Sequence, residues 1–202
     1  MLNILILSGS PVRGGSTEIL LERIAEGISH SSIQPVHSEI IRLNDYQYLP
    51  CQSCGESPEP AWCIFKDEIE PVYDLYVNCD VVLFGSPIYF DTVSAQAKLF
   101  IDRCNCLKPV DFSESREHLF KKVLTKKRLG GMVLVGGDRQ DFEYARKVIA
   151  GFFKWTEVAN CGHVTYGGVG LEAGAVANDP EKLKEAFGLG QQMASRIIIN
   201  GI

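Results

Sequence analysis

Ile4-Leu-Ile-Leu7, running straight into Ser8-Gly9-Ser10-Pro11-Val12-Arg13-Gly14-Gly15-Ser16-Thr17, is the stretch that decides the fold. The apolar run, stopped by Gly9 and Pro11, reads as a β-strand. Leu20, Ile24 and Ile28 then recur at helical spacing. A glycine- and hydroxyl-rich turn therefore hands a strand over to a helix. Backbone N–H groups and the positive end of the helix dipole make such a turn an anion site. Ser10, Ser16 and Thr17 offer hydroxyls there, and Arg13 adds charge. The same residues also suit a plain helix start, with Ser16 or Thr17 as the cap. The loop lacks both the Gly-Lys-Ser/Thr ending of a triphosphate loop and the G-x-G-x-x-G spacing of a dinucleotide fold, which favours a mononucleotide phosphate.

Working outward, Val81–Phe84, Met132–Val135 and, more weakly, Val36–Leu43 read as further strands. Helical spacing appears in three more sets: Ala97, Phe100, Ile101 and Cys104; Ala145, Val148, Ile149 and Phe152; Leu183, Phe187, Ala194 and Ile197. A helix over Asp67–Val77 and a strand over Val158–Tyr166 complete a strand–helix alternation. That alternation predicts an α/β fold in three layers, a parallel sheet with helices on both faces. Ligands of such sheets bind beyond the carboxyl ends of the strands, where the strand order reverses. The loops Ser8–Ser16, Gly85–Phe90 and Gly136–Asp138 fall at those ends. Residues 1–202 are expected to form one domain, interrupted by a cysteine-containing loop at 44–66 and an excursion at 108–128.

A formal charge of −5, from 20 basic and 25 acidic residues, argues against nucleic acid as a partner. The basic cluster Lys121-Lys122 with Lys126-Lys127-Arg128 reads as a solvated face or loop, with an anionic ligand or a subunit partner as the alternatives. The apolar start lacks a basic leader and is too short to span a bilayer. Seven cysteines, an odd number, do not describe a secreted disulfide framework. The expectation is a cytoplasmic protein with no membrane partner.

Gly85-Ser86-Pro87-Ile88-Tyr89-Phe90-Asp91 reads as a turn that sets a proline and two aromatics beside the pocket. A flat apolar ring would lean there, its polar edge met by backbone groups. A proline-led turn with its aromatics packed in the core is the plainer alternative. Together these loops, the cysteine segment beginning at Cys51, and Lys98-Leu-Phe-Ile-Asp-Arg103 resemble the NADPH-dependent FMN reductase family and its relatives, the iron–sulfur flavoproteins and multimeric flavodoxins. The resemblance covers nearly the whole chain. It implies a flavodoxin-like fold with a five-stranded parallel sheet of order 2-1-3-4-5. It implies FMN, with the phosphate held by Ser10, Arg13, Ser16 and Thr17 beside Val12 and Gly15. The isoalloxazine would lie at Ser86, Pro87, Ile88, Tyr89 and Phe90, and Gly136 and Gly137 would supply the third loop.

The activity so implied is electron transfer from NAD(P)H through FMN to a quinone, a flavin or another small acceptor, or to a redox protein. No catalytic side chain is expected, because the chemistry belongs to the cofactor. A homodimer or homotetramer is expected by the same resemblance. The competing reading is a non-enzymatic flavodoxin-like electron carrier, which would typically be more acidic than −5 and lack the cysteine segment. Lys98, Asp102 and Arg103 are read as structural or interfacial.

Cys51-Gln-Ser-Cys54-Gly-Glu-Ser57 and Cys63 have the spacing C-x2-C-x2-C-x5-C of the iron–sulfur branch, except that Ser57 stands in the third position. A cubane cluster takes four thiolates, so an iron–sulfur cluster is not expected and no metal ligand is assigned. Three readings remain: ordinary thiols, a redox dithiol, or a three-thiolate metal site completed by His37, Cys161 or His163. Cys79, Cys104, Cys106 and Cys161 read as small apolar fillers. His30 and His118 give no catalytic signal.

Overall fold

The computed structural model describes residues 1–58, 61–113, 119–168 and 172–200; His118 lies outside them. In chain order the elements are β1 (Leu2–Ser8), α1 (Ser16–Ser31), β2 (Val36–Arg42), α2 (Glu70–Asn78), β3 (Val81–Tyr89), β4 (Thr92–Val93), α3 (Ala95–Arg103), β5 (Arg128–Gly136), α4 (Glu143–Trp155), β6 (Val158–Gly167) and α5 (Pro180–Asn200). Five strands pair in parallel in the order β2-β1-β3-β5-β6. Counting those five alone, this is the expected 2-1-3-4-5 order. The short β4 pairs antiparallel with the end of β3.

The side-chain alternation of each central strand feeds two cores. Leu5 and Leu7 of β1, Val82 and Phe84 of β3, and Met132 and Leu134 of β5 pack on the α2, α3 and α4 side. Ile4 and Ile6, Val81 and Leu83, and Leu129 and Val133 pack on the α1 and α5 side. Burial on both faces explains why these strands read as unbroken apolar runs. The edge strands β2 and β6 are only partly covered, which is why their pattern is weaker.

Three local departures have physical causes. First, α2 starts at Glu70 rather than Asp67, with Pro71 in its first turn. The Asp67 carboxylate is drawn away by Arg103, at 2.6 Å, and by the Leu49 N–H, at 3.2 Å. Second, β3 runs through the segment expected to turn, and the reversal comes later, at Phe90 and Asp91. Both have positive φ, 50° and 60°, as a tight two-residue hairpin requires. Third, Arg128 is not on a solvated basic face. It opens β5 at 1% exposure, donating to the carbonyls of Tyr76 and Thr156 and lying over the Tyr76 ring.

Candidate nucleotide site at the carboxyl ends of the strands

The glycine- and serine-rich loop leaves β1 at Ser8 and enters α1 with Gly15 as the capping residue, which makes no side-chain cap bond. The Gly15 N–H turns back to the Val12 carbonyl at 3.3 Å. Helix geometry gives the N–H groups of Ser16, Thr17 and Glu18 no carbonyl to meet within the helix. They form the donor set of an anion cradle. Ser16 Oγ accepts the Val176 N–H at 3.3 Å, so its own proton remains available to donate outward. The Ser10 hydroxyl is spent within the loop, accepting from the Val12 N–H at 3.1 Å and donating to the Val12 carbonyl at 3.4 Å. Arg13 is exposed and paired with Asp45 at 2.7 Å.

Four residues to which the sequence reading gave no bracing role hold this loop in shape. Glu18, 1% exposed, accepts the Gly14 N–H at 3.0 Å, Arg42 Nε at 3.0 Å and the Ser8 hydroxyl at 3.4 Å. It works as the third-position acid of a capping box, with the backbone donor one residue before the cap. Gly14 sits at φ +65°, where a side chain would be strained. Ser94 caps α3 by accepting the Ala97 N–H at 3.2 Å, and its hydroxyl donates to the Gly9 carbonyl at 2.7 Å. Gly9 in turn donates its N–H to the Gly85 carbonyl at 2.8 Å. A Cβ on Gly9 would stand 2.8 Å from that of Ala97, so only glycine lets the loop approach α3 so closely.

Ser86 Oγ accepts the Ser94 N–H at 2.9 Å and donates to the Pro87 carbonyl at 2.7 Å, so it braces the end of β3 from a fully buried position. Ile88 is buried, while Tyr89 is 45% and Phe90 99% exposed. An aromatic residue at positive φ on a hairpin tip is a backbone outlier. Gln140 links the other two loops: its Oε1 accepts the Gly137 N–H at 2.6 Å and its Nε2 donates to the Ile88 carbonyl at 3.0 Å. Ser94 carried a legible signal, a serine before a helical run. Gln140 carried none.

Arg103 is structural, as expected. Its guanidinium reaches Asp67 at 2.6 Å and 3.1 Å and the Leu49 carbonyl at 2.6 Å, in contact with the Tyr48 and Phe65 rings. Lys98 and Asp102 form an i,i+4 surface pair at 2.7 Å. Burial pushes the Cys79 and Cys106 thiols up to about 12 and Cys104 well above its ordinary value, as suits apolar fillers. All seven cysteines are free.

A doubly wound sheet with an anion cradle at the end of β1 and two further loops gathered around the strand-order reversal defines a flavodoxin-like nucleotide-binding protein. The chain belongs to the NADPH-dependent FMN reductase family, whose model matches residues 2–165, and it is an enzyme of that family. It is 29% identical over 195 residues to an iron–sulfur flavoprotein of Methanocaldococcus jannaschii, covering 93% of each chain. The fold is similar to that of an NAD(P)H:quinone oxidoreductase from Methanothermobacter marburgensis, with a TM-score of 0.66 at 16% identity over 95% of this chain and 96% of the other. An NADH:FMN oxidoreductase has a TM-score of 0.66 at 12% identity, over 97% and 90% of the two chains. Among the described residues no helix is long and apolar enough to cross a membrane.

Proposed function

We propose that residues 1–202 form one FMN-binding domain of an oxidoreductase that moves electrons from NAD(P)H to a quinone, a free flavin or another small acceptor. The observation that carries this reading is the cradle: three helix-end amides beside the Ser16 hydroxyl, which Val176 leaves free to donate. Hydroxyl and amide donors converging without a lysine suit a phosphate monoester. When bound, FMN supplies the hydride- and electron-accepting chemistry. The chain's own part is to hold the phosphate at Ser16–Glu18, to fix the ring's edge with the backbone of Ser86–Ile88 and Gly136–Gly137, and to leave one face open beside Tyr89.

The exposed Phe90, held at strained φ on the rim, supports a second copy of the chain covering this edge, in a homodimer or homotetramer. Seven free thiols support a reducing, cytoplasmic setting. Flavin alone meets the needs of this reaction, and Ser57 leaves the segment 51–63 one thiolate short of a cubane by itself.

The test is oxidation of NADH and NADPH by flavin-loaded protein with quinone or flavin as acceptor. Flavin absorbance with turnover supports the proposal. Flavin without turnover, together with reduction by a partner protein, selects the electron-carrier reading instead. Protein that stays colourless in excess FMN overturns both.

A further inference from the structure

In the flavin reading, the ring's polar edge is met by the backbone at the ends of β3 and β5. Two of those backbone groups already have a partner within the chain. The ladder between the two strands closes with Pro87 opposite Val135. Just beyond it the Gly137 N–H donates to Gln140 Oε1 at 2.6 Å, and Gln140 Nε2 donates to the Ile88 carbonyl at 3.0 Å. One carboxamide thus takes a donor from the third loop and an acceptor from β3. A Cβ on Gly136 would stand 2.7 Å from that Oε1 and 3.2 Å from the Ile88 Cβ, so the carboxamide lies directly against the strand ends.

The chemistry of this bridge names what replaces it. A carboxamide presents a carbonyl oxygen and an N–H side by side, joined through one carbon. The pyrimidine end of an isoalloxazine carries the same pair as a lactam built into the ring. A phosphate, a sugar hydroxyl or an apolar ring face offers no such pair. The Gly137 amide has a single proton to donate, so the ring and Gln140 exclude one another there.

The side chain can leave while its loop stays. Gln140 belongs to no strand or helix, standing between Gly136 at the end of β5 and Glu143 at the start of α4. The next residue is tied down by bonds that do not involve Gln140: the Asp141 N–H donates to Asp91 Oδ1 at 2.9 Å, and Asp141 Oδ1 accepts the Glu143 N–H at 2.8 Å. Arg139 and Asp141 are exposed on either side, so a rotated carboxamide meets water.

We propose that Gln140 is a displaceable stand-in for the flavin ring, its carboxamide holding the Gly137 N–H and the Ile88 carbonyl until the lactam edge of the isoalloxazine takes both. This role rests on the flavin reading of the same loops, and adds to it an internal competitor that sets how readily the ring enters.

The experiment compares wild type with Gln140→Ala, both stripped of flavin, with FMN association and dissociation followed by stopped-flow fluorescence. From the net worth of two neutral hydrogen bonds, Gln140→Ala should bind FMN roughly 5- to 150-fold more tightly. The gain should lie in the association rate, with dissociation unchanged, because the competitor acts before the ring is seated. Ribitol phosphate, which has no ring, should bind both proteins equally. FMN methylated at the lactam nitrogen should bind both more weakly than FMN, since the Ile88 carbonyl then gains no donor. Equal or weaker FMN binding by folded Gln140→Ala makes the residue a brace and overturns the proposal. So does a gain confined to the KM for NADPH, whose nicotinamide carries a carboxamide of its own. No uptake of FMN by either protein overturns this role and the flavin reading together.

Discussion

Ser16 is where cofactor affinity and fold stability are coupled through one oxygen. Its hydroxyl accepts the buried Val176 N–H at 3.3 Å, which leaves its own proton free to donate. Ser16→Ala removes a donor to a charged phosphate, an interaction worth about 1.5–3 kcal/mol. Affinity for FMN should therefore fall roughly 10- to 150-fold. The same change strands the Val176 amide, at about 1–3 kcal/mol of folding stability, or about 2–4 °C of Tm for each kcal/mol. Thr17→Val separates the two effects. It keeps the methyl that stands 2.6 Å from where a Cβ on Gly85 would lie, and deletes only the hydroxyl. Thr17→Val should weaken FMN binding with little change in Tm. The assay is quenching of flavin fluorescence at fixed ionic strength, run in parallel with riboflavin, which lacks the phosphate. Equal losses for FMN and riboflavin, or unchanged FMN affinity in both variants, would refute the phosphate assignment.

Glu18→Gln should cost about 1–3 kcal/mol in urea unfolding, because the buried carboxylate accepts from Gly14, Arg42 and Ser8 together; a change below a few tenths would show that the brace is idle. Gly190→Ala should destabilise by about 1–3 kcal/mol, since its Cβ would stand 2.1 Å from the Ile24 carbonyl where α1 meets α5. On the same helix Gly188→Ala meets open space and should stabilise by about 0.5–1 kcal/mol, so denaturation midpoints moving in opposite directions are the check. At pH 8, a thiol reagent followed by mass spectrometry should label the exposed Cys54 first. Cys79 and Cys106, held up to about 12 by burial, stay protonated until the pH nears that value and should be labelled only on unfolding.

What could be read from the sequence was whatever contiguous residues carry. β1, the phosphate loop and α1 form one uninterrupted stretch, so strand, anion site and helix were visible together. The central strands were legible because burial on both faces leaves no polar residue to interrupt them. Asp67 misled the helix boundary because its carboxylate serves Arg103, 36 residues away. The charge of Arg128 suggested solvent, yet backbone carbonyls of Tyr76 and Thr156 take its donors in the interior. Gln140 and Val176 matter through contacts made across the fold. No spacing within their own segments announces them.

The cradle's own charges also explain why its hydroxyls carry weight. Glu18 is paired with Arg42 at 3.0 Å and Arg13 with Asp45 at 2.7 Å, so both cations near the loop already have partners. An arriving phosphate therefore finds little net positive charge. It must be held by amides at the helix end, by the dipole behind them and by hydroxyl donors. Such donors are directional, and they select for the shape of a monoester more than for charge. That fits a loop built on glycine and serine, with the acid beneath it serving to hold the backbone in place.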